Sequence, residues 1–193
     1  MNLPDTDTIL ITGLGNPGKE YSKTRHNAGF LFVDFLREKF NEELSLSELW
    51  KFDSKFEANV CSYNLENKKV FLQQPLTTMN VSGRSVAKML NWLKLEPSSL
   101  ILVHDDLDLK LGNYKVQLGK GPLIHNGVNS VENSLHTQDF WRIRIGIDNR
   151  DENQRLMAGA DYVLSKFTKE EFENVKATFN SITIPSFAGN LLN

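Results

Sequence analysis

The sequence is poor in residues that staple or anchor a chain. It holds one cysteine, Cys61, in 193 residues. A single thiol excludes an intrachain disulfide and any cysteine-built metal cluster. Four histidines are present, but no two have the H-E-x-x-H spacing of a zinc hydrolase. There is no G-x-S-x-G elbow, so a strand-to-helix serine nucleophile is not expected. No apolar run approaches the ~18 residues of a membrane span. The opening MNLPDTDTIL lacks a basic region and a long apolar stretch, so a secretion signal is not expected. Charge of one sign is missing too, the formal net charge being −2. Without a global positive field, any nucleic-acid contact must come from a local patch. We find no repeat, low-complexity tract or linker. What remains is ordinary for a soluble core-forming chain, 40% hydrophobic and 24% charged. The expectation is one cytoplasmic domain spanning 1–193.

Apolar patterning then supplies elements. Residues 7–12 are a short apolar run stopped by Gly13, the pattern of a buried strand. Residues 28–40 carry a helical stripe at 31, 32, 35, 36 and 40, with Asn27 as a possible N-cap. FEANVCSYNL and KKVFLQQ flank a turn-like ENK and predict a hairpin. A second amphipathic helix is predicted over 85–95, ended by Glu96-Pro97. Strands are predicted at 100–106, 113–118 and 140–147, and a weaker helix at 127–136. In 140–147, Arg142 and Arg144 alternate with Ile143 and Ile145, giving one basic and one apolar face. TKEEFENVKATFN opens with a capping box, Thr168 to Glu171, and sets Phe172, Val175 and Phe179 on one face. Strands alternating with helices predict an α/β fold, a three-layer domain with a mixed β-sheet flanked by helices.

The turn GLGNPGKE, residues 13–20, fits two nucleotide fingerprints, and both fail in context. In a dinucleotide fold the helix starts directly after the glycines, so that its N-terminus meets the pyrophosphate. Here nine polar residues, KEYSKTRHN, intervene, and no acidic residue follows at the next strand end. In a phosphate loop a Ser or Thr hydroxyl ligates magnesium, and Glu20 stands in that place.

The polar loop itself points to hydrolysis. Asn16, Tyr21, Arg25, His26 and Asn27 cluster after a strand. PLTTMNVSG places Met79 and Asn80 just before a helix, and IHNG places His125 and Asn126 before another. Either asparagine could instead be a helix cap. LVHDDLD sets acids at the C-terminal end of a buried strand, where open α/β sheets carry their sites; solvated turn carboxylates are the plainer alternative.

These segments together resemble bacterial-type peptidyl-tRNA hydrolases. The resemblance runs over roughly residues 8–172, in order: GLGNPGKEY, TRHNAGF, QPLTTMNVSG, HDDLDLKLG, HNGVNS and TQDFWRIRIGI. It implies cleavage of the ester joining a peptide to the 3′-terminal ribose of tRNA, without metal or organic cofactor, by a monomer. It assigns His26 as the base that activates water, Asp105 as the acid that orients it, and Asn16 as part of the catalytic set. Asn80 and Asn126 would position substrate, with Met79 packing beneath its apolar parts and Thr78 beside it. Tyr21 would meet the terminal nucleotide of the CCA end. The chemistry suits the residue types, since ester hydrolysis needs an activated water and donors for an oxyanion.

The acceptor stem must meet positive charge. Lys110, Lys115 and Lys120 fall in a stretch, 110–120, that holds no acid. In the family a lysine and an arginine clamp the 5′-phosphate. Arg144 matches the arginine, whereas Gln117 stands at the lysine position, so either Lys115 or Lys120 substitutes or the clamp is weaker. The family's glycine-rich loop reads GKGPLIHNG here, stiffer and more apolar through Pro122, Leu123 and Ile124. Thr78 replaces an aromatic before the Met-Asn pair, and the end after 180 is short and uncharged. The alternative to the hydrolase is a tRNA-end-binding protein of the same fold without turnover.

Overall fold

The structure, a computed structural model, describes residues 7–65, 68–152 and 154–183. The N-terminal stretch MNLPDT, the middle of the predicted hairpin turn and the segment from 184 lie outside them.

Among the described residues seven strands form one sheet: β1 (Thr8–Gly13), β2 (Lys51–Asp53), β3 (Ala58–Leu65), β4 (Lys68–Pro75), β5 (Leu100–Lys110), β6 (Tyr114–Leu118) and β7 (Trp141–Asp148). Their order is β2-β3-β4-β1-β5-β7-β6. The central pairs β4/β1, β1/β5 and β5/β7 are parallel, and the pairs at both edges are antiparallel. The helices are α1 (Ala28–Glu43), α2 (Ser82–Leu93), α3 (Asn126–Leu135), α4 (Gly159–Leu164) and α5 (Lys169–Ser181). This is the mixed α/β sheet that alternating elements predict. Strand β2 and helix α4 were not foreseen. Three residues and six residues are too short to show a period.

Strand alternation builds two cores. Ile9, Ile11, Ile101, Val103, Ile143 and Ile145 point to the face covered by α1 and α5, where Phe32, Leu36 and Phe179 meet them. Leu10, Leu100 and Leu102 point to the other face and pack against Val86 and Met89 of α2 and Val128 of α3. The capping box of α5 forms as expected, with Thr168 Oγ1 accepting from Glu171 N–H and the Glu171 carboxylate accepting from Thr168 N–H.

Two expectations change. Asn27 stands at the N-cap position of α1, but its side chain makes no cap bond. The Leu14 carbonyl instead accepts the Phe30 N–H at 3.1 Å, so a backbone group from the turn after β1 satisfies a donor that a side-chain cap would otherwise take. The basic face of β7 is not solvated. Arg142 is 1% exposed and Arg144 9%.

The glycines of GLGNPG have a packing reason. A Cβ on Gly13 would lie 2.2 Å from the Gly29 carbonyl oxygen in α1. The helix start is therefore laid directly on the end of β1. Strand β1 pairs in parallel with β4 on one side and with β5 on the other, so the C-terminal ends of all three strands open on one crevice.

Candidate active site

His26 sits in a 3₁₀ turn, Arg25–Asn27, between β1 and α1. Both neighbours of the histidine are buried and anchored. Asn27 clasps the backbone of Asn16 twice, accepting its N–H at 2.9 Å and donating Nδ2–H to its carbonyl at 3.0 Å. Arg25 donates to both Glu171 oxygens at 2.6 and 2.7 Å, and also to the Lys166 carbonyl. Its guanidinium lies 4.4 Å from the centre of the Tyr162 ring. The loop histidine is thereby flanked on both sides by anchored residues.

The Asp105 carboxylate on β5 faces it. His26 Nδ1 and Asp105 Oδ1 are 2.9 Å apart, the acid being 2% exposed and the imidazole 12%. A carboxylate only accepts, so Nδ1 carries the hydrogen and Nε2 keeps the lone pair. Burial pulls the His26 pKa down, but the charge and hydrogen bond of Asp105 outweigh it and hold the value above the ordinary 6.5. Asp105 is held far below the ordinary carboxylate value: burial opposes ionisation, and His26 and His125 overcome it.

His125 is the second imidazole on this acid, its Nε2 lying 2.9 Å from the same Oδ1. Its Nδ1 accepts the N–H groups of Gly127 and Val128, capping α3. The ring that caps the helix thus also steadies the acid. The cap expected of Asn126 belongs to His125, and Asn126 is the first residue of α3. The fully buried His104 packs edge-on to His125 at 5.0 Å, its pKa pushed down to about 3 by burial first and by His125 second.

His26, Asp105 and His125 bring one ligand atom each within 4.8 Å of one another, the donor set a metal ion would use. The hydrogen-bond pattern fits a cation poorly. Both imidazoles already donate to one carboxylate oxygen, and the other nitrogen of His125 accepts two backbone donors. A metal would have to displace the protons on Nδ1 of His26 and Nε2 of His125.

A cleft of about 590 Å³ opens over these groups, lined by Asn16, His26, Thr78, Met79, Asn80 and Asn126 among others. Asn16 Oδ1 accepts the Met79 N–H at 3.0 Å, which ties the turn after β1 to the segment after β4. Its Nδ2 is then the end left to face a ligand. Met79 is buried at 4% exposure, whereas Thr78, Asn80 and Asn126 are exposed. Asn80 lies in a 3₁₀ turn, Met79–Val81, and caps nothing.

The family model for peptidyl-tRNA hydrolase matches residues 10–185. The chain belongs to the peptidyl-tRNA hydrolase family. A peptidyl-tRNA hydrolase of Mycoplasma capricolum is 42% identical over 172 residues, covering 89% of this chain and 87% of that protein. One from Desulfitobacterium hafniense is 42% identical over 165 residues, covering 84% and 82%. The crystal structure of the Acinetobacter baumannii peptidyl-tRNA hydrolase superposes with a TM-score of 0.78 at 34% identity, covering 90% of this chain and 84% of that one. The chain is a hydrolase by this membership, and its mixed sheet with flanking helices is the architecture of its relatives.

Against the peptidyl-tRNA hydrolase pattern, the residues expected to grip tRNA stand apart from the cleft. Tyr21 is half-buried in a 3₁₀ turn, Lys19–Tyr21, and does not line the cleft. Lys115 and Lys120 are exposed, on β6 and just beyond it. Arg144 is no open clamp. Its Nε donates to Asp106 at 2.6 Å and one terminal nitrogen to Gln117 at 2.7 Å. Gly121 lies over the guanidinium, where a Cβ would come within 2.4 Å of it. Gln117 thus acts as an acceptor for the arginine. Asp106 is occupied with Arg144, and Asp108 accepts the Leu123 N–H at 3.1 Å. Neither competes with Asp105 for His26.

Sequence reasoning missed His125 as a partner of Asp105. Its motif was visible, but one ring acting on both a helix end and an acid is a tertiary fact. The cleft wall made by Gly159, Ala160, Val163 and Leu164 of α4 was missed as well.

Proposed function

We propose that this chain hydrolyses the ester between a peptide and the 3′-terminal ribose of tRNA, with His26 as general base and Asp105 as its orienting acid. The observation that carries the reading is the 2.9 Å contact between His26 Nδ1 and a buried carboxylate at the wall of the cleft. It leaves Nε2 basic and available to a water. Nε2 takes a proton from that water as its oxygen attacks the ester carbonyl. The Asp105 charge favours the imidazolium that forms. As the tetrahedral intermediate collapses, the ribose oxygen leaves and takes the proton back from Nε2. The products are a peptide acid and free tRNA.

Asn16 Nδ2 is the donor for the developing oxyanion. Because its Oδ1 already holds the Met79 N–H, Asn16 offers the substrate a donor more readily than a paired donor and acceptor. Asn80 and Asn126, exposed on the cleft, supply both functions to the peptide amides and ribose hydroxyls. Met79 forms an apolar floor, and Thr78 lies at its edge. The CCA end enters along this polar wall, Tyr21 meets it outside the cleft, and Lys115 and Lys120 meet the acceptor stem. We read residues 1–193 as one cytoplasmic domain working as a monomer without a cofactor. No helix among the described residues is long and apolar enough to cross a membrane.

The test is turnover of N-acetyl-aminoacyl-tRNA beside binding of the same tRNA. Release of N-acetyl-amino acid is the expected result. Tight binding without release would mark the chain as a tRNA-end-binding protein of this fold and overturn the mechanism.

A further inference from the structure

The cleft is lined by polar groups, His26, Asn16, Asn80 and Asn126 among them, and also by a set of apolar side chains. Leu123 and Ile124 are 86% and 85% exposed. Two adjacent large aliphatic side chains this bare, at the mouth of a site, are a signature of binding and not of folding. Val163 and Leu164 of α4 line the same cleft, as does Leu107 from the far end of β5.

The loop that carries the two side chains is held by its backbone. The Gly121 carbonyl accepts from Arg142 at 2.6 Å, and the Leu123 N–H donates to Asp108 at 3.1 Å. Directly after Ile124, His125 is fixed on Asp105 and on the start of α3. The side chains project while their main chain is pinned at three places, so the apolar surface is presented with little freedom left to lose.

We infer that Leu123 and Ile124, with Val163 and Leu164, form a subsite for apolar side chains in the peptide arm of the substrate, next to the scissile ester. The inference rests on the hydrolase reading above and adds a substrate preference to it. Charge selects the occupant. The Asp108 carboxylate lines the same part of the cleft and is exposed. A phosphate-bearing tRNA arm would be repelled there, whereas a peptide carries no phosphate. The lysines proposed for the tRNA body, Lys115 and Lys120, are not part of this lining. An apolar site discriminates an aliphatic or aromatic side chain from a small polar one by about tenfold.

The experiment compares two substrates on one tRNA, N-acetyl-Phe-Lys-tRNA and N-acetyl-Ser-Lys-tRNA, so that the tRNA contribution is identical. The expected result is a kcat/KM about tenfold higher for the phenylalanine arm, carried mainly by KM. In the double variant Leu123→Ser with Ile124→Ser the ratio should fall towards one. Both side chains point into solvent, so the core is not disturbed. Leu164→Ser should lower the ratio in part, since α4 also lines the cleft. A native ratio within about twofold of one, or a ratio unchanged in the double variant, overturns the subsite while leaving hydrolysis itself intact. If neither substrate is cleaved, the hydrolase reading falls instead. The subsite is then decided by whether the native chain binds the phenylalanine arm more tightly than the serine arm.

Discussion

Two places in this molecule put charged side chains on the central strands, and they differ in what they leave open. At the β1–β5 crevice His26 meets Asp105 and His125 meets the same oxygen. Across β5, β7 and β6, Arg144 meets Asp106 and Gln117, and Arg142 meets Glu132 and the Gly121 carbonyl. Both groups are buried and both are paired. The first keeps one nitrogen of His26 without a protein partner at a cleft wall. The second lies beneath the 119–122 loop, and its unpartnered atom, Arg142 Nε, is buried away from the cleft. A buried charge network with one open, titratable atom can do chemistry, and one without such an atom holds a loop in place. Burial and pairing alone do not separate the two. The direction in which the last unpaired atom points does.

The sharpest way to break this contrast is His26→Ala. Turnover should fall by about 10²–10⁴-fold, the range for a general base, with melting temperature and tRNA binding close to native. A variant with near-native turnover would remove the open atom from the chemistry and with it the contrast.

Arg144→Ala should act on stability more than on grip. It leaves the Asp106 carboxylate, whose side chain is 0% exposed, without its cation, and breaking a buried pair costs about 3–5 kcal/mol. Thermal or urea unfolding measures this. A stable variant with greatly weakened tRNA binding would show that the pair opens and that Arg144 reaches phosphate after all.

Asp105→Asn should lower turnover less than loss of His26 does, by roughly ten- to a hundredfold, and should move the acid limb of the pH–rate profile. Neutral His26 is the active form, so activity is lost as pH falls through its pKa. In the native chain that pKa lies above 6.5, because Asp105 outweighs burial. Without the carboxylate charge only the effect of burial remains, and the limb should shift to lower pH. A limb that stays in place would mean another group sets it.

The smallest effect belongs to the exposed cations. Lys115→Ala and Lys120→Ala should each weaken tRNA binding modestly, and each should reduce the slope of log affinity against log salt by about one. Salt titrations of tRNA binding by native and variant chains read this directly. If neither slope changes, the acceptor stem lies elsewhere on the surface.

Much of the fold was readable because its signals are local. A short apolar run ended by Gly13, a stripe from Leu31 to Phe40 and a capping box at Thr168 each report on neighbours in sequence. The helix over 127–136 was legible though weak, and α3 begins one residue earlier, at Asn126. The hidden elements, β2 and α4, are shorter than any period that could reveal them. In the candidate site, His26, Asp105, Asn16, Met79, Asn80 and Asn126 could all be named from motifs, because each motif is a short string at a strand end or a helix start. Alternation correctly gave Arg142 and Arg144 one shared face, yet it suggested a solvated one. Nothing local says that the 119–122 loop will cover that face.

The sequence by itself therefore determined which residue types stand at the ends of β1, β4 and β5, since strand ends and helix starts follow from the chain's own local chemistry. Only the tertiary structure decided what each of them is bonded to. His26 and Asp105 are 79 residues apart, and Arg25 and Glu171 are 146 apart. Parallel strand pairing brings the first two together, and the packing of α5 on the sheet brings the second. The packing of α3 on the other face of the sheet decided that His125 carries a helix end on one nitrogen and an acid on the other. A ring's two nitrogens are assigned by the partners that surround them, and those partners are set by the fold.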